Sequence, residues 1–211
     1  MNKTGKLHVL TDTSLQSRFT HAELARLAIL GGADTIQLRD KTASTRELIE
    51  IALRMKEICS SLGIPLIVND RLDVALASQA DGVHLGQDDF PLRLARQILG
   101  PDVIIGGSAA VLEQARTCLD EGADYVGFGP VFPTSSKEDA GTVSGIHILK
   151  RVVETVPLPI VAIGGITINN IKEVMQAGAK GIAVISAVCC QKDPEEATRK
   201  LAQALRETNR G

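Results

Sequence analysis

Eight apolar, β-branched runs alternate along the chain with segments of helical period. The strand-like runs are Leu7–Thr11, Thr35–Arg39, Leu66–Asn69, Gly82–Gly86, Val103–Ser108, Tyr125–Pro130, Ile160–Gly164 and Ile182–Ser186. They are apolar on both faces, which predicts buried parallel strands and not strands with one wet face. The segments between them mark their own ends. Thr20 with Glu23, and Ser44 with Glu47, have the spacing of capping boxes. Asp193-Pro194-Glu195-Glu196 reads as an N-cap, a first-turn proline and an acidic first turn. The second helix carries Leu48, Ile51, Ala52, Met55, Ile58, Cys59 and Leu62 on one stripe, and stops at Gly63 before Pro65.

A short motif recurs at every second unit. GGADTIQLR (31–39), SQADGVHLG (78–86), EGADYVGFG (121–129) and AGAKGIAVI (177–185) each join a helix end, an alanine and a mostly charged residue to a strand. They precede strands two, four, six and eight, as four double units of a barrel would show. Eight βα units predict an α/β fold, a single (β/α)8 TIM barrel spanning residues 1–211, with its chemistry at the strand C-terminal ends. An open doubly wound sheet is the alternative, but no glycine-rich dinucleotide turn follows the first strand.

Composition narrows the partners. Hydrophobic residues are 44% and aromatics 2%, with no tryptophan, so the core is one of Ile, Leu, Val and Ala. The net charge of −2, without a Lys/Arg block, gives no electrostatic case for nucleic acid. No apolar run approaches the roughly 18 residues that span a bilayer. The opening MNKTGK lacks the pattern of a signal peptide, and the four cysteines show no CxxC spacing, so a cytoplasmic protein with reduced thiols is expected.

Candidate chemistry is read from the strand ends. Strand three ends in Asn69-Asp70 and strand four in Gln87-Asp88-Asp89. Two carboxylates converging at adjacent ends suit a hard cation such as Mg²⁺; alternatively Asp70 and Asp89 are N-caps of the helices that follow. Gly164-Gly165 and Ser186 follow strands seven and eight, where barrels commonly hold a phosphate on backbone N–H groups. A helix expected to begin near Thr167 would add its dipole there. The bland reading of the glycines is a tight turn. Arg39, Lys41 and Lys137 group cations on the same face and suit a polyanion such as a diphosphate. Thr134–Lys137 begins a hydroxyl-rich loop reaching about Ser144, either a lid over substrate or an unstructured connection. His84, in mid-strand, reads as a core imidazole with a satisfied partner, and Lys41 lacks the context that would mark a Schiff-base lysine.

The segments QLRDK (37–41), VNDR (68–71), DGVHLGQDD (81–89), GGS (106–108), DYVGFGPVFPTSSK (124–137), IGGI (163–166) and AVISAV (183–188) together resemble thiamine phosphate synthases. The resemblance spans nearly the whole chain. It implies a transferase that couples hydroxymethylpyrimidine diphosphate to a thiazole phosphate carboxylate and releases pyrophosphate, through a dissociative substitution. It assigns Mg²⁺ to Asp70 and Asp89. It assigns the pyrimidine diphosphate to Gln37, Leu38, Arg39, Asp40, Lys41, Asn69, Ser108 and Lys137, with Arg39, Lys41, Ser108 and Lys137 as the catalytic set. The thiazole phosphate falls to Thr134, Ser135, Ser136, Gly165, Ile185 and Ser186. It also suggests a homo-oligomer acting on small phosphorylated molecules.

Three positions depart from the family pattern. Ala110 stands where relatives often have histidine, Ser136 replaces threonine, and Asp40 replaces glutamate. The sister thiazole tautomerases share the barrel and the phosphate site but move a proton and use that histidine. A non-catalytic barrel that binds a thiamine precursor is a rival of another class. Neither needs the full set of Arg39, Lys41, Asp70, Asp89 and Lys137. A sugar-phosphate epimerase or aldolase would explain only the loops after strands seven and eight.

Overall fold

Alternate residues of each strand point into two different apolar environments, which is why the runs lack a polar face. The computed structural model describes residues 5–136 and 141–208. Its strands are β1 (Leu7–Thr11), β2 (Thr35–Leu38), β3 (Leu66–Asn69), β4 (Gly82–Leu85), β5 (Ile104–Ala109), β6 (Tyr125–Phe128), β7 (Ile160–Ile163) and β8 (Gly181–Val184). All neighbours pair in parallel and β8 returns to β1, closing the barrel. This is the (β/α)8 architecture that the periodicity predicts. Leu10, Ile67, Ile104, Tyr125, Val161 and Ala183 pack inside it. The outward set, including Val9, Ile36, Leu38, Val68, Val83 and Ile105, packs under the helices.

The helices are α1 (His21–Gly31), α2 (Thr45–Ser61), α3 (Leu72–Ser78), α4 (Leu92–Leu99), α5 (Leu112–Asp120), α6 (Gly145–Thr155), α7 (Ile171–Gln176), α8 (Ser186–Cys189) and α9 (Pro194–Thr208). Both capping boxes form. Asp193 caps α9 by accepting from the Glu196 N–H at 3.0 Å.

The repeated motif has a physical basis at the bottom of the barrel. Asp34 accepts from the N–H groups of Lys6 and Leu7, each at 3.0 Å. Asp81 accepts from Leu66 at 2.9 Å and pairs with Lys56. Asp124 accepts from Ile105 at 2.7 Å and pairs with Arg96. In each case an aspartate just before an even strand satisfies backbone at the start of the odd strand before it. The fourth copy has Lys180, whose side chain has no acceptor to offer; it keeps only the backbone bond, its N–H donating to Ile160 O at 2.8 Å as those of Asp34 and Asp124 donate to Leu7 O and Ile105 O.

The seam between the first and last strands is clasped from outside. The Arg18 guanidinium donates to Cys190 O at 3.1 Å and to Gln191 O at 2.8 Å. The Cys189 thiol donates to Leu10 O at 3.0 Å. Gly31 lets α1 approach α9 so closely that a β-carbon there would lie 2.4 Å from Glu195 O.

Several boundaries differ from the sequence reading. β2, β4, β6, β7 and β8 end one to two residues early, because their last expected residues leave the ladder for the loops over the barrel mouth. Ser186 is not a strand end; it opens the short helix α8. Helix α7 starts at Ile171, a turn later than expected, because Asn170 closes a side-chain turn by accepting from Thr167 N–H at 2.8 Å and donating to Gly165 O at 2.9 Å. The helix-dipole argument for an anion at Thr167 is weakened accordingly.

Candidate active site

A cavity of about 710 Å³ opens at the C-terminal ends of the strands. One wall carries Arg39, Lys41, Asn69, Asp70, Asp89 and Ser108; the other carries Thr134, Ser136, Gly165, Ile185 and Ser186. Four of the residues singled out in the sequence, Gln37, Leu38, Asp40 and Ser135, stand elsewhere. Lys137 lies outside the described residues. Leu38 is fully buried under the helices, leaving only its backbone near the site. Ser135 is exposed and off the cavity wall. Gln37 lies below the floor, beside a gap of about 20 Å³ inside the barrel.

Asp40 organises a loop. Its carboxylate accepts from Thr42 N–H at 2.8 Å, the Thr42 hydroxyl at 3.0 Å and Ala43 N–H at 2.9 Å, and faces the His21 imidazole. Burial opposes ionisation of Asp40, but these donors together hold its carboxyl below the ordinary aspartate value. Such a turn, closed by a carboxylate on backbone N–H groups two and three residues on, is one that aspartate favours.

The acidic pair is not a pair of helix caps. Neither α3 nor α4 has a side-chain cap hydrogen bond. Asp70 sits in the left-handed region at φ 66°, which aims its side chain over the cavity, and its carboxylate pairs with Lys41. Asp89 folds back to accept from Gly86 N–H at 2.6 Å. The two carboxyl groups reach hydrogen-bonding range of each other, and burial, then the neighbouring Asp70 charge, raises the Asp89 carboxyl above its usual value despite the Gly86 bond. A cation between them would relieve that conflict, so the donors present fit a hard divalent ion. Among the described residues no third acidic, thiol or imidazole side chain completes a cage. That suits Mg²⁺, which keeps waters and takes substrate phosphate oxygens alongside one or two carboxylates.

The cations are committed more than their sequence suggests. Lys41 is engaged by Asp70, and Arg39 by the buried Asp12. Asp12 in turn accepts from the Ser14 N–H at 2.9 Å and hydroxyl at 2.6 Å. The Arg39 Nε, buried and without a partner among the described residues, leaves this guanidinium short of acceptors. Asp12 was visible as a strand end, but its partner is 27 residues away in sequence.

On the opposite wall the Ser136 hydroxyl donates to Ser186 Oγ at 2.8 Å, tying the loop after β6 to α8. Gly165 has φ 64°, and a β-carbon there would lie 2.5 Å from Pro133 O and 2.7 Å from Phe132 Cβ. This glycine therefore seats the loop after β6, whatever it does for an anion. Ser186 and Ala187, in the first turn of α8, have N–H groups without intrahelical acceptors. Ala110 lines the cavity, its N–H held by Gln114 Oε1 at 2.8 Å.

Known proteins share this plan. Residues 7–188 match the family described as thiamine monophosphate synthase. The thiamine-phosphate synthase of Salinibacter ruber is 50% identical over 201 residues, covering 95% of this chain and 88% of that protein. The enzyme of the same name from Methanocella arvoryzae is 54% identical over 195 residues, covering 92% of each. The solved thiamine phosphate pyrophosphorylase from Pyrococcus furiosus superposes with a TM-score of 0.90 at 44% identity, covering 98% of both chains. Matched in sequence along most of its length and in fold throughout, the chain belongs to the thiamine monophosphate synthase family, transferases of thiamine biosynthesis.

Proposed function

We propose that the chain joins hydroxymethylpyrimidine diphosphate to thiazole phosphate carboxylate, giving thiamine phosphate, pyrophosphate and carbon dioxide with Mg²⁺ as cofactor. The carboxylate leaves as carbon dioxide once the ring nitrogen is alkylated, and a proton from water takes its place. The observation that carries this reading is a single cavity whose two walls differ in chemistry: paired carboxylates with Arg39 and Lys41 on one side, hydroxyls and glycine backbone on the other. One wall suits a metal-bound diphosphate and the other a monophosphate.

Asp70 and Asp89 would hold the ion, which when bound supplies charge neutralisation to the leaving diphosphate. Arg39 orients the diphosphate through its forked donors, with Asp12 fixing the guanidinium plane. Lys41, displaced from Asp70 as the diphosphate enters, adds a point charge to the oxygens that grow more negative as the C–O bond breaks. Thr134, Ser136, Gly165 and Ser186 hold the thiazole phosphate so that the ring nitrogen faces the pyrimidine methylene carbon. That nitrogen captures the pyrimidine cation, and no residue need remove a proton for the new C–N bond to form. The same reading takes residues 1–211 as one domain and the protein as a cytoplasmic homo-oligomer, to be checked by light scattering of the purified chain.

The test incubates the purified protein with both substrates and Mg²⁺ and follows thiamine phosphate and pyrophosphate. Equimolar appearance of the two, abolished by a chelator and restored by Mg²⁺, is expected. The Ala110 methyl can neither accept nor donate a proton, so isolated thiazole phosphate carboxylate should not isomerise. Rapid isomerisation without coupling would overturn the reading.

A further inference from the structure

His84 and Tyr125 face the barrel interior, where the other packed side chains are mainly aliphatic. Space has been cleared for them. A β-carbon at Gly106 would lie 2.3 Å from Tyr125 Cζ and 2.4 Å from His84 Nδ1, and one at Gly127 would lie 2.7 Å from His84 Cε1. Two neighbouring strands thus give up interior side chains to admit one imidazole and one phenol. Their polar atoms form a line toward the cavity: Tyr125 OH to His84 Nδ1 at 3.0 Å, then His84 Nε2 to Ser108 Oγ at 2.9 Å. Ser108 is shared by the gap beneath and the cavity above. Its backbone is held too, since Ser108 O accepts from Gln87 Nε2 at 2.6 Å.

The direction of this line follows from the phenol. Tyr125 is 1% exposed, and burial pushes its hydroxyl well above the ordinary phenol range, so it keeps its proton. Among the described residues His84 Nδ1 is the only hydrogen-bond partner recorded for that proton. A buried donor left without an acceptor costs roughly 1–3 kcal/mol, which selects the arrangement in which Tyr125 donates to Nδ1. A neutral imidazole that accepts at Nδ1 carries its proton on Nε2 and donates to Ser108 Oγ. The Ser108 proton then cannot point back to His84.

We infer that Tyr125 and His84 form a relay of fixed polarity that makes the Ser108 hydroxyl a committed donor into the cavity, so the ligand atom over Ser108 is a hydrogen-bond acceptor. Tyr125 and His84 are positioning residues for Ser108, and the ligand group they select is a ring nitrogen or a phosphate oxygen, not an amino group. The same polarity rules out a nucleophilic serine, since an Nε2 that already holds a proton cannot take one from Ser108. Assignment of that ligand to the pyrimidine diphosphate rests on the proposed function; the polarity of the relay does not.

Two measurements test it. NMR of the unaltered protein with isotope-labelled histidine reports the His84 tautomer without substrate, and the Nε2–H form is expected. An Nδ1–H or doubly protonated ring at neutral pH overturns the relay. Tyr125→Phe keeps the ring and deletes the donor, and should raise KM for the pyrimidine diphosphate roughly two- to tenfold with the thiazole KM unchanged. In a Ser108→Ala background it should add nothing, because both changes break one chain. An equal effect of Tyr125→Phe with and without the Ser108 hydroxyl would show only a packing role. Should Tyr125→Phe not fold, the tautomer of the unaltered protein still decides. Absence of coupling in the unaltered protein would strike the proposed function and leave the tautomer to judge the relay.

Discussion

At the scale of single residues, the acidic pair pits fold against function. Asp70 occupies a left-handed backbone conformation that asparagine also tolerates, so Asp70→Asn removes charge with little backbone penalty. Turnover should fall by two or more orders of magnitude while the thermal midpoint stays level or rises, since the charge that crowds Asp89 is gone. A variant with normal turnover at limiting Mg²⁺ would remove the pair from the site. Asp12 behaves in the opposite way. Its side chain and that of Arg39 are 2% and 8% exposed, and deleting one partner strands a buried charge. Asp12→Ala should destabilise the protein by about 3–5 kcal/mol in urea unfolding and also weaken diphosphate binding. Intact stability would show that solvent reaches Arg39. The sequence revealed the acidic pair because both members end neighbouring strands. It did not reveal the Asp12–Arg39 pair, because that contact exists only through the parallel register that sets Thr11 beside Leu38.

At the scale of elements, local chemistry made the strands and most helix ends readable: a capping box needs only four residues and forms wherever the backbone turns helical. The loops were harder. Helix α8 has four residues, too few for a period, and the delayed start of α7 depends on an Asn170 turn that competes with the first helical turn. The recurring motif was legible as a repeat, yet its meaning needed the neighbouring strand on which the aspartate acts. If that meaning is right, Asp124→Ala should cost about 1–3 kcal/mol, because the Ile105 N–H loses its acceptor and Arg96 loses its ion-pair partner. Substitution of Lys180 by alanine should change the urea midpoint little. Equal midpoints for both variants would mean the aspartate contributes nothing beyond solvation.

At the scale of the whole molecule, a closed barrel buries polar groups that an open sheet would leave wet. His8 is one of them. Burial, opposed by a bond to Gly5 O and the nearby Asp34 charge, lowers its imidazole to about 4. The unfolded chain therefore binds a proton near pH 6.5 that the folded chain refuses until about pH 4. Stability from this group is complete above pH 6.5 and is lost as pH falls through that window, by roughly 3 kcal/mol at most. His21, lowered chiefly by burial, acts in the same direction. The urea midpoint should drop between pH 7 and pH 5, and less so in His8→Gln. A midpoint level across that interval would show that the imidazole is charged in the folded barrel.

The clasp across the β1–β8 seam has a consequence in time. Arg18 and Leu10 can meet residues 189–191 only after the ribosome has released all eight strands. The wall with Asp70 and Asp89 can be synthesised long before that, but it remains an edge exposed to solvent and to other nascent chains until β8 arrives. Closure is thus the last and most non-local step, the kind of contact that slows folding most. The cavity draws its two walls from opposite halves of the sequence, and the pairing of the first strand with the last is what holds them facing one another.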